Sequence, residues 1–181
     1  MKTGLKKSLT AFLFMGGLTA ANASDVCKIL PGSVTCGSGT VSNLLGNGMV
    51  NVDGTTVTGP TIINGLLSAT DANFYSLEVN GSVNLVQCTV SDSSEIKGSL
   101  TASSTKFEGK LEIYSTATRF INSKVSGDLH ILHTEPKKQI VYLDNFSEVA
   151  GDIIFDDGDG EVIVRGSSKI GGKVVGGHSS F

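Results

Sequence analysis

Acidic side chains crowd into one short stretch, Asp156-Asp157-Gly158-Asp159-Gly160-Glu161. Asp156, Asp157 and Asp159 could offer oxygens to calcium, a hard cation that takes about six to eight such ligands. The stretch lacks the alternating spacing and distant glutamate of an EF-hand loop, and the Gly-Gly-x-Gly-x-Asp register of calcium-binding β-rolls. A solvated acidic turn accounts for the same residues without a metal. Two more carboxylates, Asp128 and Asp152, each stand one residue after a glycine, Gly127 and Gly151. Carboxylates clustered on one strand face are the acid and base of polysaccharide-cleaving β-helices. Lys110 and Lys173 follow their glycines in the same way, as do Ser82 and Ser99. A solvent-facing ladder explains that mixture more simply than catalysis does. His130 and His133 are three apart, so on a strand they face opposite sides and cannot hold one ion together. No nucleophile motif, phosphate loop or cysteine metal pattern is present, and no cofactor is expected.

The elements that would carry these residues are announced by a recurring phrase: apolar residue, spacer, Gly, spacer, apolar residue. It reads Val79-Asn-Gly81-Ser-Val83, Ile96-Lys-Gly98-Ser-Leu100, Phe107-Glu-Gly109-Lys-Leu111, Val125-Ser-Gly127-Asp-Leu129, Val149-Ala-Gly151-Asp-Ile153 and Ile170-Gly-Gly172-Lys-Val174, with an imperfect copy around Gly59. Successive glycines are 22, 17, 11, 18, 24 and 21 residues apart. Such unevenness excludes a strict short-period solenoid, but most intervals fit one coil of an irregular parallel β-helix. The 11-residue step is too short for a coil and reads as a repeat within one. Leu100, Leu111, Leu129 and Ile153 would then stack as an internal aliphatic ladder, and Phe74, Phe107 and Phe120 as an aromatic one. Residues 66–77 have the apolar content for one short helical turn at most. An antiparallel sandwich also has short strands and Asn-Gly or Asp-Gly turns, but gives no reason for one phrase to recur with fixed internal spacing.

Three cysteines occur. Cys27 and Cys36 flank a Pro31-Gly32 turn signal, and a hairpin there would bring them together as a disulfide. Cys88 alternates onto the same face as two valines and reads as a buried thiol, with an intermolecular bridge as the alternative.

The first 23 residues read as a secretory leader: Lys2, Lys6 and Lys7, an apolar stretch, then Ala21-Asn22-Ala23 as a cleavage site. Eleven basic against seventeen acidic side chains would then remain, a formal charge of −6. That balance argues against nucleic acid and anionic membranes as partners. No later segment is long and apolar enough for a membrane helix.

The repeated apolar-x-Gly-x-apolar phrase over residues 57–175 resembles that of bactofilins, polymer-forming bacterial cytoskeletal proteins, and of exported β-helix proteins. The resemblance implies a right-handed β-solenoid core able to associate end to end; the leader departs from bactofilins, which are cytoplasmic. The chain is therefore expected to be all-β: a leader at 1–23, an N-terminal disulfide-bearing cap segment at 24–46, and at 47–181 a single-stranded right-handed parallel β-helix of about five to seven irregular coils. The expected function is an exported, non-enzymatic structural or adhesive module of the bacterial envelope or surface. It would bind itself by end-to-end stacking, or a surface glycan or protein. The alternatives are a polysaccharide-binding or polysaccharide-cleaving β-helix, and a secreted effector or filament subunit.

Overall fold

Alternation of apolar and polar residues runs through almost every strand, and it decides which side chains point inward. In Thr55–Thr70, the side chains of Thr55, Val57, Thr61, Ile63, Leu67 and Ala69 are buried, while those between them face out. Strands built this way must bury one face, and here each turn of chain buries it against the turns above and below. The computed structural model describes residues 26–132 and 138–181. The leader at 1–23 and His133 lie outside the described residues.

The described chain is 66% strand with no helix, wound into a parallel β-solenoid of about eight turns. The count exceeds the expected five to seven because Ser33–Cys36 and Leu44–Asp53 already belong to the stack, ahead of the first glycine phrase. Each turn contributes to three ladders. Ladder A contains Gly39–Val41, Thr89–Val90, Lys106–Phe107, Lys124–Val125 and Glu148–Val149. Ladder B contains Ser94–Lys97, Leu111–Tyr114, Leu129–Ile131 and Ile153–Phe155. Ladder C contains Ser33–Cys36, Leu100–Ser103, Ala117–Ile121, Ile140–Asp144 and Gly160–Val164. Near the N-terminus the strands are long: Leu44–Asp53 serves ladders B and C without a break, and Thr55–Thr70 and Asn73–Val86 each serve all three. Residues 66–77 therefore form the end of one strand, a corner at Asp71 and Ala72, and the start of the next strand, not a helical turn, because stacking of Leu67 on Val50 and Val83 outweighs local helical preference.

The only antiparallel pair recorded among the described strands is the first. Cys27–Leu30 folds back on Ser33–Cys36 in register Cys27↔Cys36, and the two sulfurs are joined. Parallel stacking begins at Ser33, inside the segment expected to be the cap. Val26 packs against the core at the mouth of the stack and accepts the Gly37 N–H at 2.9 Å.

Like stacks on like along the lumen. Leu111, Leu129, Ile153 and Val174 form one column of ladder B. Leu100 is not part of it: it lies on ladder C between Val83 and Thr118, because the Gly98 phrase turns a different corner. Nor do the three phenylalanines pile along the axis. Phe74 and Phe107 share ladder A with Val90 between them, and Phe120 reaches across from ladder C to meet Phe107 edge-on, ring centres 6.1 Å apart. Each fully buried leucine, isoleucine or phenylalanine contributes about 1.5–3 kcal/mol relative to exposure.

Candidate functional site

The single phrase of the sequence marks two physically different corners. Gly81 and Gly98 sit between ladders B and C, in a column with Gly48 and Gly65. All four have positive φ, 102° to 147°, and a Cβ on Gly81 would strike the carbonyl oxygen of Gly65. Only glycine tolerates that backbone and that approach. Gly59, Gly109, Gly127, Gly151 and Gly172 instead sit between ladders A and B, in ordinary backbone conformations. The 11-residue step from Gly98 to Gly109 thus runs from a B–C corner past the C–A corner at Ser104 to the next A–B corner, short of one full turn.

Asp128 and Asp152 do stack at the A–B corner, as neighbours of Lys110 and Lys173. Their carboxylates are occupied by the frame. Asp128 Oδ1 accepts the Asp152 N–H at 2.8 Å, and Asp152 Oδ1 accepts the Lys173 N–H at 2.7 Å. They cap the backbone of the following turn, satisfying donors that the corner would otherwise leave to water. Ser82 and Ser99 sit at the other corner, with the Ser99 hydroxyl donating to the Ser82 oxygen at 2.9 Å.

The acidic residues Asp156, Asp157 and Asp159 occupy the exposed turn between Ile153–Phe155 and Gly160–Val164. Among the described residues no three His, Cys, Asp or Glu side chains are grouped to hold a metal ion. Glu161, just beyond the turn, pairs with Lys138 at 2.8 Å and accepts the Ser180 hydroxyl at 3.1 Å. Those two donors, Lys138 first, hold its carboxyl below the usual glutamate range. His130 lies outward on ladder B between Glu112 and Ile154.

The third corner, between ladders C and A, has a device that the sequence reading missed. Asp71, Gln87, Ser104, Asn122 and Asn145 all adopt left-handed φ near 50°, which asparagine and aspartate tolerate better than most side chains. A small buried residue follows: Ala72, Cys88, Thr105, Ser123 and, after Phe146, Ser147. Thr105, Ser123, Ser147 and Ser168 accept backbone N–H groups from Cys88, Thr105, Ser123 and Ser147, at 3.0–3.3 Å. Their hydroxyls donate to nearby carbonyls. Cys88 stands in this buried column like a serine, its thiol 3.3 Å from the Val86 carbonyl, and burial pushes its ionisation up. A thiol so enclosed has neither the exposure nor the thiolate character that intermolecular bridging needs. The recurring pair of a turn-forming residue and a small polar one was the available signal.

Outward surfaces divide the molecule. On ladder A, Thr40, Thr56, Asn73 and Thr89 stack in register over four turns. Ser42, Thr58, Tyr75 and Ser91 each follow the stacked core residue of their turn, and the register slips between Val57 and Pro60, where a bulge interrupts the ladder. The fifth turn ends this uncharged strip with the ion pair Lys106–Glu108. Tyr75 is 48% exposed, and the Asp92 carboxylate beside it raises its hydroxyl's ionisation. A shallow groove of about 190 Å³ opens at the next residue, Ser76, and continues past Glu78, Ser93 and Glu95. On ladder C of the later turns, Tyr142 instead lies under two guanidinium groups, Arg119 at 4.8 Å and Arg165 at 5.9 Å from the ring centre. Compared with known proteins, the chain matches no protein-family model, no curated protein and no solved structure.

Proposed function

We propose that this chain is an exported, non-enzymatic structural or adhesive module of the bacterial envelope or surface, working through the regular outer faces of its solenoid. The observation that carries this reading is the outward strip of ladder A. Four turns present uncharged hydrogen-bonding side chains, Thr40, Thr56, Asn73 and Thr89, at the strand spacing, about 4.8 Å. A repeating surface of that kind suits a repeating partner. The carboxylates that stacked as catalytic candidates, Asp128 and Asp152, are spent on backbone capping, which favours a structural over a catalytic role. The Cys27–Cys36 disulfide is compatible with an oxidising compartment, and the leader supplies a route to it.

The test is expression of the tagged full chain in a bacterium, followed by fractionation and mass spectrometry. The expected product starts near Ser24, carries the disulfide, resides outside the cytoplasm and sediments with envelope or surface material. Asp128→Ala and Asp152→Ala variants should bind that material as before. An unprocessed cytoplasmic product would overturn the reading. So would release of reducing sugars that either substitution abolishes.

A further inference from the structure

We infer that the ladder A strip and its adjoining groove bind a neutral, extended β-1,4-linked hexopyranoside chain lying along the solenoid axis. This rests on the adhesive reading above and names its partner. Three observations converge on it. Tyr75, directly after the stacked Phe74, holds a half-exposed aromatic ring beside Asp92, at a point where the neighbouring turns carry the small polar residues Thr58 and Ser91 after their own core valines. A phenol ring offers an apolar face to the apolar face of a pyranose and a polar edge to its hydroxyls. On the same ladder, the stacked Thr56, Asn73 and Thr89, with Thr58 and Ser91 two residues further along their turns, can both donate and accept hydrogen bonds, as sugar hydroxyls do. These groups repeat at the strand spacing of about 4.8 Å, close to the sugar-to-sugar repeat of an extended β-1,4 chain.

Charge decides between neutral and acidic glycans. The groove beside Tyr75 carries Glu78 and Glu95, and Asp92 lies against the tyrosine itself. Carboxylates accept strong hydrogen bonds from sugar hydroxyls and repel uronate or sulfate groups. Among the described residues no lysine or arginine lines the groove; Lys97, outside it, is bound to its Glu95 at 2.7 Å. The ion pair of Lys106 with Glu108 marks where the uncharged strip stops, which gives the surface a length of four turns.

The experiment uses the full chain after leader removal and isothermal titration with cellohexaose and chitohexaose, with hexamannuronate, which is also β-1,4-linked, as the acidic counterpart. At least one neutral hexasaccharide should bind. Tyr75→Ala should weaken that binding tenfold or more with the melting temperature unchanged, because the side chain is exposed. Tyr75→Phe should retain most of the affinity. Tyr142→Ala, on ladder C, should leave it unaltered. The inference is overturned if neither neutral sugar binds, if Tyr75→Ala binds as well as the parent chain, or if hexamannuronate binds more tightly than both. Attachment to envelope material that survives Tyr75→Ala would sink this inference while leaving the adhesive reading in place.

Discussion

The turns before about residue 105 and those after it solve the same stacking problem with different surfaces. In the early turns the strands run long, Thr55–Thr70 and Asn73–Val86, and pass the B–C corner on the stacked glycines Gly48, Gly65, Gly81 and Gly98. Between residues 26 and 105 only Lys28, Asp53, Asp71, Glu78, Asp92, Glu95 and Lys97 carry charge. The later turns have short strands, wider corners and outward side chains tied in ion pairs such as Lys106–Glu108, Lys110–Glu112, Lys124–Glu148 and Lys138–Glu161. The core is alike in both regions. The contrast teaches that the lumen sets the fold, while the outer face is free to differ. The uncharged face of the early turns is therefore the surface that the proposed neutral partner would use, and the charged face of the later turns resembles a solvated wall.

The sharpest way to break this comparison is at the glycine corners. Gly81→Ala should cost about 3 kcal/mol or more, since it adds a backbone clash to a left-handed conformation. Gly127→Ala should fall within about 0.5 kcal/mol, because nothing lies within 4 Å of a Cβ there. Urea titrations of the two variants measure the gap, and equal losses would mean that the two corners do not differ as described. Next in size is the first hairpin. Cys36→Ser should lower stability by about 2–3 kcal/mol by releasing the constraint on the unfolded chain. Hydrogen exchange should place that loss mainly in the early turns; uniform loss of protection would deny any local role for the hairpin.

The smallest effect tests the charged wall. Glu161 has a folded pKa below the ordinary glutamate value, 4.5, because Lys138 and Ser180 favour its carboxylate. A lowered folded value stabilises the fold above the unfolded pKa, and that contribution disappears as pH falls through the folded one. The unfolding midpoint should thus slip slightly as pH drops below about 4.5, and Glu161→Gln should flatten that part of the profile. Because the pair is exposed, added salt should shrink the difference. An unchanged slope in the variant would remove Glu161 from the account.

Much of the architecture was legible because inward alternation has a local physical cause and the glycine phrase leaves a recurring mark, although what it answers to is the backbone of the adjacent turn. Alternation marks which side of a strand is wet, as at Leu129–Ile131, and a Pro-Gly step between two cysteines marks the hairpin that the disulfide closes. The site was less legible. Asp128 and Asp152 were correctly placed one above the other, but that they bind backbone N–H groups depends on the exact approach of successive turns. The buried column of Thr105, Ser123 and Ser147 was missed because small polar residues ordinarily read as exposed loop. Tyr75 drew no notice in the sequence, since an isolated tyrosine near a core phenylalanine does not reveal which of them faces out.

By itself the chain determined that its strands must bury one face, since that follows from neighbours in sequence; that points such as Gly81 admit no side chain comes from the carbonyl of the adjacent turn. Which turn lies on which was decided only in three dimensions. Partners in the ladders are 16 residues apart at Ser33↔Met49 and 24 at Lys124↔Glu148, and the corners absorb the difference. Register is fixed by hydrogen bonds and core contacts between those distant segments. Leu100 therefore left the column expected for it, and four turns of hydroxyls came to share a single face.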